Sequence, residues 1–407
     1  MSPSRHLLPL LLLPVALAAA APRALAAGCE PDGVQASGAV YRICMPESWN
    51  GSLVLYAHGY VDFNSPLAIP EDQLVLPDGT SVPQIINALG FAFATTSYSV
   101  NGLAFVEGVD DLLDLRAIFE RTHGRPSRTW LVGPSEGGAI TALAVEQHPE
   151  VFDGGLAACG PIGDFRRQVN YFGDFNVVFD YFFPGVIPGS PIDIPSEVIA
   201  DYETIYAGRI AAAIASDPGA TGQLLAVTRA PIDTADPATV EETVLGLSRY
   251  RVFATNDAVA KLGGQPFQNR LRLYTGSEDD RALNLGVARF SADPAALESI
   301  RDRYQTSGRL VSPLVTLHTT GDPIIPYWHE TLYTLKTLAT GSASRRVNIP
   351  VARYGHCSFT KGEVVGAFAV LLLKANRQEL VGTAAVLTDA AALADFRRLE
   401  SRYGALP

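Results

Sequence analysis

Cysteine is scarce in this chain, with four in 407 residues: Cys29, Cys44, Cys159 and Cys357. None belongs to a C-x-x-C pair, and the seven histidines include no cluster at zinc spacing. Together these absences argue against a metal site. No motif calls for another cofactor. Basic residues are in the minority, 31 against 42 acidic, for a formal charge of −11. An acidic surface repels phosphate backbones, so nucleic acid is not an expected partner. Internal repeats are absent, and so is low-complexity sequence beyond the N-terminus. What remains is an ordinary globular composition, 47% hydrophobic and 18% charged, with length enough for one large or two modest domains.

The N-terminal segment reads as a leader rather than as fold. Arg5 is followed by an apolar run from Leu7 to Ala21, and Ala24-Leu25-Ala26 has the small-x-small form of a cleavage site. A secretory signal peptide over residues 1–27 is the expectation. A membrane span needs about 20 apolar residues, whereas this run is shorter and holds Pro9 and Pro14. The mature protein is therefore expected without a span and in a secreted or periplasmic location. A lipid anchor on Cys29 is the minor alternative, weakened because Ala26-Ala27-Gly28-Cys29 lacks the usual leucine. An even cysteine count after a leader suggests two disulfides, with three connectivities open.

Short apolar strands alternate with amphipathic helices, the pattern of an α/β protein. Strands are expected near 39–44, 52–57, 91–97, 129–132, 154–158 and 314–319, and again where Val347, Ile349 and Val351 alternate. Pro350 places that last strand at a sheet edge, where a missing N–H is harmless. Helices are expected near 106–121, 136–147, 328–338 and 389–403, and Thr360-Lys361-Gly362-Glu363 is a capping box opening another. Between 161 and 310 the alternation stops. Helix starts at Ser196, Asp236 and Asp293, and one apolar face through Val198, Tyr202, Ile205, Ile210 and Ala213, predict a mainly helical insertion. The expected division is thus 28–160 and 311–407 for the α/β core, with 161–310 inserted between them.

Gly133-Pro134-Ser135-Glu136-Gly137 fits G-x-S-x-G. Context gives the pattern its weight: Trp130, Leu131 and Val132 form a strand running in, and a helix rich in small residues runs out. Such a turn holds a serine at strained dihedrals with its hydroxyl lifted clear of the sheet. The plainer alternative is a turn with a helix-capping serine. On these residues the chain resembles the α/β-hydrolase superfamily, and specifically its secreted serine esterases and lipases with a helical lid. The matching features cover about 39–160 and 310–376. The resemblance implies a mostly parallel central sheet flanked by helices, Ser135 as nucleophile, and an oxyanion hole made by the backbone N–H groups of Tyr60, after His58-Gly59, and of Glu136. His58 itself is expected to shape the loop.

Of the histidines, His356 alone lies in a loop just after the last strand, at Tyr354-Gly355-His356-Cys357, where the superfamily keeps its base. His6 falls in the leader, His123 and His148 lie at helix ends, His318 lies within a strand and His329 near a helix start. Asp322, in Gly321-Asp322-Pro323 after the strand at 314–319, matches the acid position and gives the order Ser, Asp, His. Asp164 is the runner-up acid, and a simple turn role for Asp322 is the structural alternative. The family topology also brings Cys159 and Cys357 toward one sheet edge, which implies bridges Cys159–Cys357 and Cys29–Cys44. Buried free thiols at Cys159 and Cys357 are the competing reading.

The aromatic stretch Tyr171, Phe172, Phe175, Phe179, Tyr181, Phe182 and Phe183 is either a lid or acyl pocket or the insertion's own core. The expected activity is hydrolysis of a small-molecule or polymeric carboxylic ester through an acyl-enzyme. A peptidase of the prolyl or tripeptidyl-aminopeptidase kind on the same residues is the alternative, with Asp164, Asp174 and Glu136 as candidate anchors for a substrate amine. A non-catalytic binding protein on the same fold ranks third. Oligomeric state and substrate identity have no signal.

Overall fold

The computed structural model describes residues 28–375 and 386–403. The expected leader, 1–27, lies outside the described residues. Among the described residues eight strands form one sheet: β1 (Gly33–Val34), β2 (Val40–Cys44), β3 (Ser52–Tyr56), β4 (Ala92–Thr96), β5 (Arg128–Pro134), β6 (Gly154–Ala158), β7 (Leu314–Gly321) and β8 (Arg346–Tyr354). Their order is β1-β2-β4-β3-β5-β6-β7-β8. The β1/β2 and β2/β4 pairs are antiparallel, and every pair from β4 through β8 is parallel. Every residue of β3, β4 and β6 is buried, as parallel strands covered on both faces require. Pro350 sits in β8, the edge strand.

One face of the sheet is covered by helices Phe105–His123 and Glu136–Gln147, whose Leu112, Leu115, Ile140 and Leu143 pack with Leu53, Leu55 and Leu131. Helices Val82–Ala88, Lys361–Ala375 and Ala390–Tyr403 lie on the other face, where Ile86, Phe368, Leu371 and Leu399 meet Trp130, Leu156 and Leu317. The capping box is reciprocal: Glu363 N–H donates to Thr360 Oγ1, and Thr360 N–H donates to the Glu363 carboxylate. Helix Val82–Ala88 had no counterpart among the expected elements, although Ser81 caps it and Pro83 occupies its first turn.

Between β6 and β7 the chain is helical: Phe165–Phe182, Ser196–Ala200, Ala207–Ser216, Pro218–Thr228, Ala238–Leu262, Asp280–Gly286 and Pro294–Ser299, with π-turns at Tyr202–Tyr206 and Ile300–Tyr304. This segment has its own apolar core. Phe175 and Phe179 are only 1% and 0% exposed within it, so most of the aromatic stretch is structural core. Phe172 is an exception and faces the site described below. A pair between the buried Arg251 and the half-buried Asp180 ties the two longest helices of the segment together.

Candidate active site

Ser135 ends the turn between β5 and helix Glu136–Gln147, at φ 54° and ψ −123°. A non-glycine residue in that region is strained, and the surroundings must hold it there. They do so by close backbone approach. A Cβ on Gly133 would lie 2.3 Å from Gly137 O, and one on Gly137 would lie 2.0 Å from Ala57 O. Only glycine fits either place. Ser135 makes no side-chain cap to the helix, which removes the plainer reading of its role. Its Oγ lies 2.8 Å from His356 Nε2, and His356 Nδ1 lies 2.7 Å from Asp322 Oδ2. The Asp322 carboxylate fixes the tautomer: Nδ1–H donates to it, leaving Nε2 to accept from the serine hydroxyl.

Asp322 is fully buried. Its Oδ1 accepts from Ile324 N–H and Ile325 N–H, both at 2.9 Å. Burial alone would favour the neutral acid, but the two histidines beside it, His356 and His318, hold it ionised at about 2. His318 lies directly behind the carboxylate, with Nε2 3.5 Å from Asp322 Oδ2 and 2.8 Å from Ile325 O, and Nδ1 3.1 Å from Glu330 Oε1. Both ring nitrogens thus face acceptors. Glu330 in turn is paired with Arg346 and receives the Thr316 hydroxyl, so it is a carboxylate. His318 must therefore donate from both nitrogens, which makes it an imidazolium. Burial opposes that charge, yet the bonds to Asp322 and Glu330 outweigh it and raise the group to about 10. The sequence marked His318 only as a structural strand residue. Its position four before Asp322 becomes meaningful only once the turn after β7 is known.

The loop after β3 supplies the facing wall. Glu136, as the first residue of its helix, has an N–H with no intrahelical acceptor. Tyr60 follows Gly59, whose own N–H is taken by Gln73 Oε1 at 2.6 Å. Gln73 Nε2 donates back to Tyr60 O, and Tyr56 OH donates to Gln73 O. Gln73 therefore clamps the turn that carries the Tyr60 amide. It acts across fourteen residues, and no local pattern announces it. His58 is buried, stacks on Tyr98 at 3.9 Å and bonds to Gly59 O. Burial pushes it down to about 4, in keeping with a loop-shaping part.

Other candidates have different partners. Asp164 caps helix Phe165–Phe182 by accepting from Arg167 N–H, and it also takes a bond from Gln305; it lies away from His356's ring bonds. Asp174 is engaged by Arg272 and Tyr274. The Glu136 carboxyl accepts from Ala104 N–H at 2.7 Å, and burial raises it to about 8. His329 is buried, accepting from Gly163 N–H and donating to Gln168.

Two disulfides join Cys29 to Cys44 and Cys159 to Cys357. The second follows the ends of β6 and β8 and lies beside His356, with Cys357 Sγ 3.6 Å from its Nε2. The two sulfurs and His356 are within 4.8 Å of one another, but bonded sulfurs offer no thiolate to a metal. Two apolar cavities meet at Ser135. One, of about 120 Å³, lies under the inserted helices and is bordered by Tyr60, Phe165, Phe172 and Tyr250. The other, of about 390 Å³, runs between the sheet and helix Lys361–Ala375 and includes His356 in its wall.

This strand order, with a serine on the turn after β5, an aspartate after β7 and a histidine after β8, is that of the α/β-hydrolase fold. No protein-family model and no curated protein sequence matches the chain. Among solved structures it is similar to Candida antarctica lipase A in its closed state, at 12% identity and a TM-score of 0.47, over 90% of this chain and 85% of that one. Feruloyl esterase B from Aspergillus oryzae is similar at 14% identity and 0.43, over 82% and 74%. The acylaminoacyl peptidase of Pyrococcus horikoshii is similar at 11% and 0.36 over 78% of this chain. The chain spans about a third of the length of the peptidases it matches, between 32% and 36%. These are likenesses of fold; the chemistry is argued from the site. Among the described residues no helix is long and apolar enough to cross a membrane.

Proposed function

We propose that the protein is an exported serine hydrolase that cleaves carboxylic esters. The observation that carries the reading is the unbroken hydrogen-bonded chain from Ser135 through His356 to the buried Asp322. Ser135 Oγ attacks the ester carbonyl as His356 Nε2 takes its proton. The developing oxyanion is held by the amides of Tyr60 and Glu136, each such donor contributing about 3 kcal/mol to the transition state. His356 then gives the proton to the alcohol oxygen as the C–O bond breaks. Water, deprotonated by the same imidazole, releases the acid and restores Ser135.

Ester is favoured over peptide by what surrounds the serine. An aminopeptidase needs a carboxylate free to hold the substrate amine. Asp164 and Asp174 are engaged elsewhere, and Glu136 is protonated at neutral pH and bonded to Ala104. The two disulfides suit an oxidising compartment, which supports export. Ser135→Ala should remove nearly all turnover of p-nitrophenyl acetate while leaving the fold intact by circular dichroism. Wild-type-like turnover in that variant, or faster cleavage of aminoacyl anilides than of esters by the parent, would overturn the reading.

A further inference from the structure

The two cavities differ in which part of the site they touch. Both reach Ser135, and Tyr60 and Tyr250, with ring centroids 5.5 Å apart, stand between them. Only the larger, sheet-side cavity has His356 in its wall. The smaller, cap-side cavity touches Glu136 and Ile325 instead. In ester cleavage the leaving oxygen must meet the proton on His356 Nε2, so the leaving group lies on the histidine's side of the tetrahedral carbon. The acyl chain takes the remaining direction. We propose that the sheet-side cavity binds the alcohol moiety of the substrate, and that the cap-side cavity binds its acyl moiety.

This assignment rests on the ester-hydrolase reading above and names the substrate class. Leu156, Leu317, Ile85, Val365 and Phe368 form the sheet-side walls, and no Asp, Glu, Lys or Arg side chain lines it. The Tyr56 hydroxyl on its border is already bonded to Gln73 O. A cleft with walls this apolar favours a hydrocarbon group. At about 390 Å³ against about 120 Å³, the alcohol is the larger apolar arm. The preferred substrate is an ester of a long or alicyclic aliphatic alcohol with a shorter acyl group.

Two variants narrow the cavities separately. Val364→Phe projects into the sheet-side cavity from a half-buried helix position, and Ala254→Phe into the cap-side cavity. The measured quantity is the ratio of kcat/KM for octyl acetate to that for ethyl octanoate. Val364→Phe should lower the ratio at least tenfold, and Ala254→Phe should raise it. A ratio unchanged in both, or moved in the opposite sense, overturns the assignment. Binding of decan-1-ol to Ser135→Ala protein, followed by calorimetry, needs no turnover. It should be saturable and weakened at least tenfold by adding Val364→Phe. No binding, or binding indifferent to Val364→Phe, refutes the sheet-side site even if esters are cleaved. Saturable, Val364-dependent binding in a protein that cleaves no ester would instead overturn the ester-hydrolase reading alone.

Discussion

Glu136 should make the protein less stable as pH rises through the neutral range. Its side chain is 6% exposed and accepts from Ala104 N–H. Burial lifts its carboxyl from 4.5 to about 8; the Ala104 bond and the Lys261 ammonium work against the rise, and Asp257 and Glu107 add to it. In the unfolded chain the group ionises near 4.5, whereas in the folded protein it keeps its proton to about 8. Within that window the unfolded state binds fewer protons, so stability falls with pH. At about 1.4 kcal/mol per pH unit, the loss approaches 5 kcal/mol by pH 8 as an order of magnitude. Glu136→Gln keeps an acceptor for Ala104 and cannot ionise. Urea unfolding of both proteins at intervals from pH 4.5 to 9 isolates the effect, because His318 and the other titrating groups are common to both. The stability difference should open steadily in favour of the glutamine variant above pH 4.5 and level off above pH 8. Parallel curves across that range would refute the reasoning. An ionised Glu136 would also set a negative charge beside the amide proposed to hold the oxyanion. The variant should therefore keep kcat/KM above pH 8 where the parent loses it.

Two further outcomes follow from the site. His318→Gln removes the positive charge that shares Asp322, while Glu330, Arg346, the Tyr327 ring and His329 remain around the vacated place. Removing one partner from a buried charge cluster should cost about 3 kcal/mol in urea unfolding; unchanged stability would show that His318 carries no charge there. Replacing both Cys159 and Cys357 with serine opens a loop of 198 residues, which should cost about 5 kcal/mol in urea unfolding. It should also lower turnover under conditions where the fold persists. Full turnover in the folded double variant would show that the bridge does not hold His356.

The strands were readable because β3 and β6 are short apolar runs buried on both faces, and β5 and β7 have buried apolar centres at Trp130-Leu131 and Leu314-Val315. β1 was not, since two residues, Gly33 and Val34, carry no period. The helical face predicted from Ser196 onward is cut in the structure by the π-turn Tyr202–Tyr206, a local change of pitch that a fixed 3.6-residue period cannot register. Helix Ala238–Leu262 begins after Pro237, and Asp236 Oδ1 accepts from Ala238 N–H, so its start was legible from the Asp-Pro pair. Ser135, Asp322 and His356 were proposed from the G-x-S-x-G turn and from the places after later strands that the resemblance gives an acid and a base; the structure joins the three in one hydrogen-bonded chain. Choosing Asp322 over Asp164 by structure depends on side-chain partners: one carboxylate faces an imidazole and the other caps a helix. Gln73 and the charged state of His318 were out of reach, because both arise from contacts between segments that only the folded chain brings together.

The three residues of the hydrogen-bonded chain are held by three different restraints. Backbone approach at Gly133 and Gly137 fixes Ser135. For His356 the restraint is the bridge at Cys357 and the bond from Thr319 Oγ1 to Gly355 O. Asp322 is backed by His318, and its loop is held from outside the α/β core. Tyr171 OH donates to Pro323 O, and Gln168 Nε2 donates to Ile324 O. Both side chains belong to helix Phe165–Phe182, the first helix of the insertion. The first helix of the insertion thus supports the Asp322 loop directly and also supplies Phe172 and Val169 to the cap-side cavity. Any opening of the insertion that admits substrate must therefore leave Phe165–Phe182 in place. Motion of that helix would loosen the Asp322 loop as substrate enters, so under the proposed function admission and alignment are separable only if the moving part lies elsewhere in the insertion.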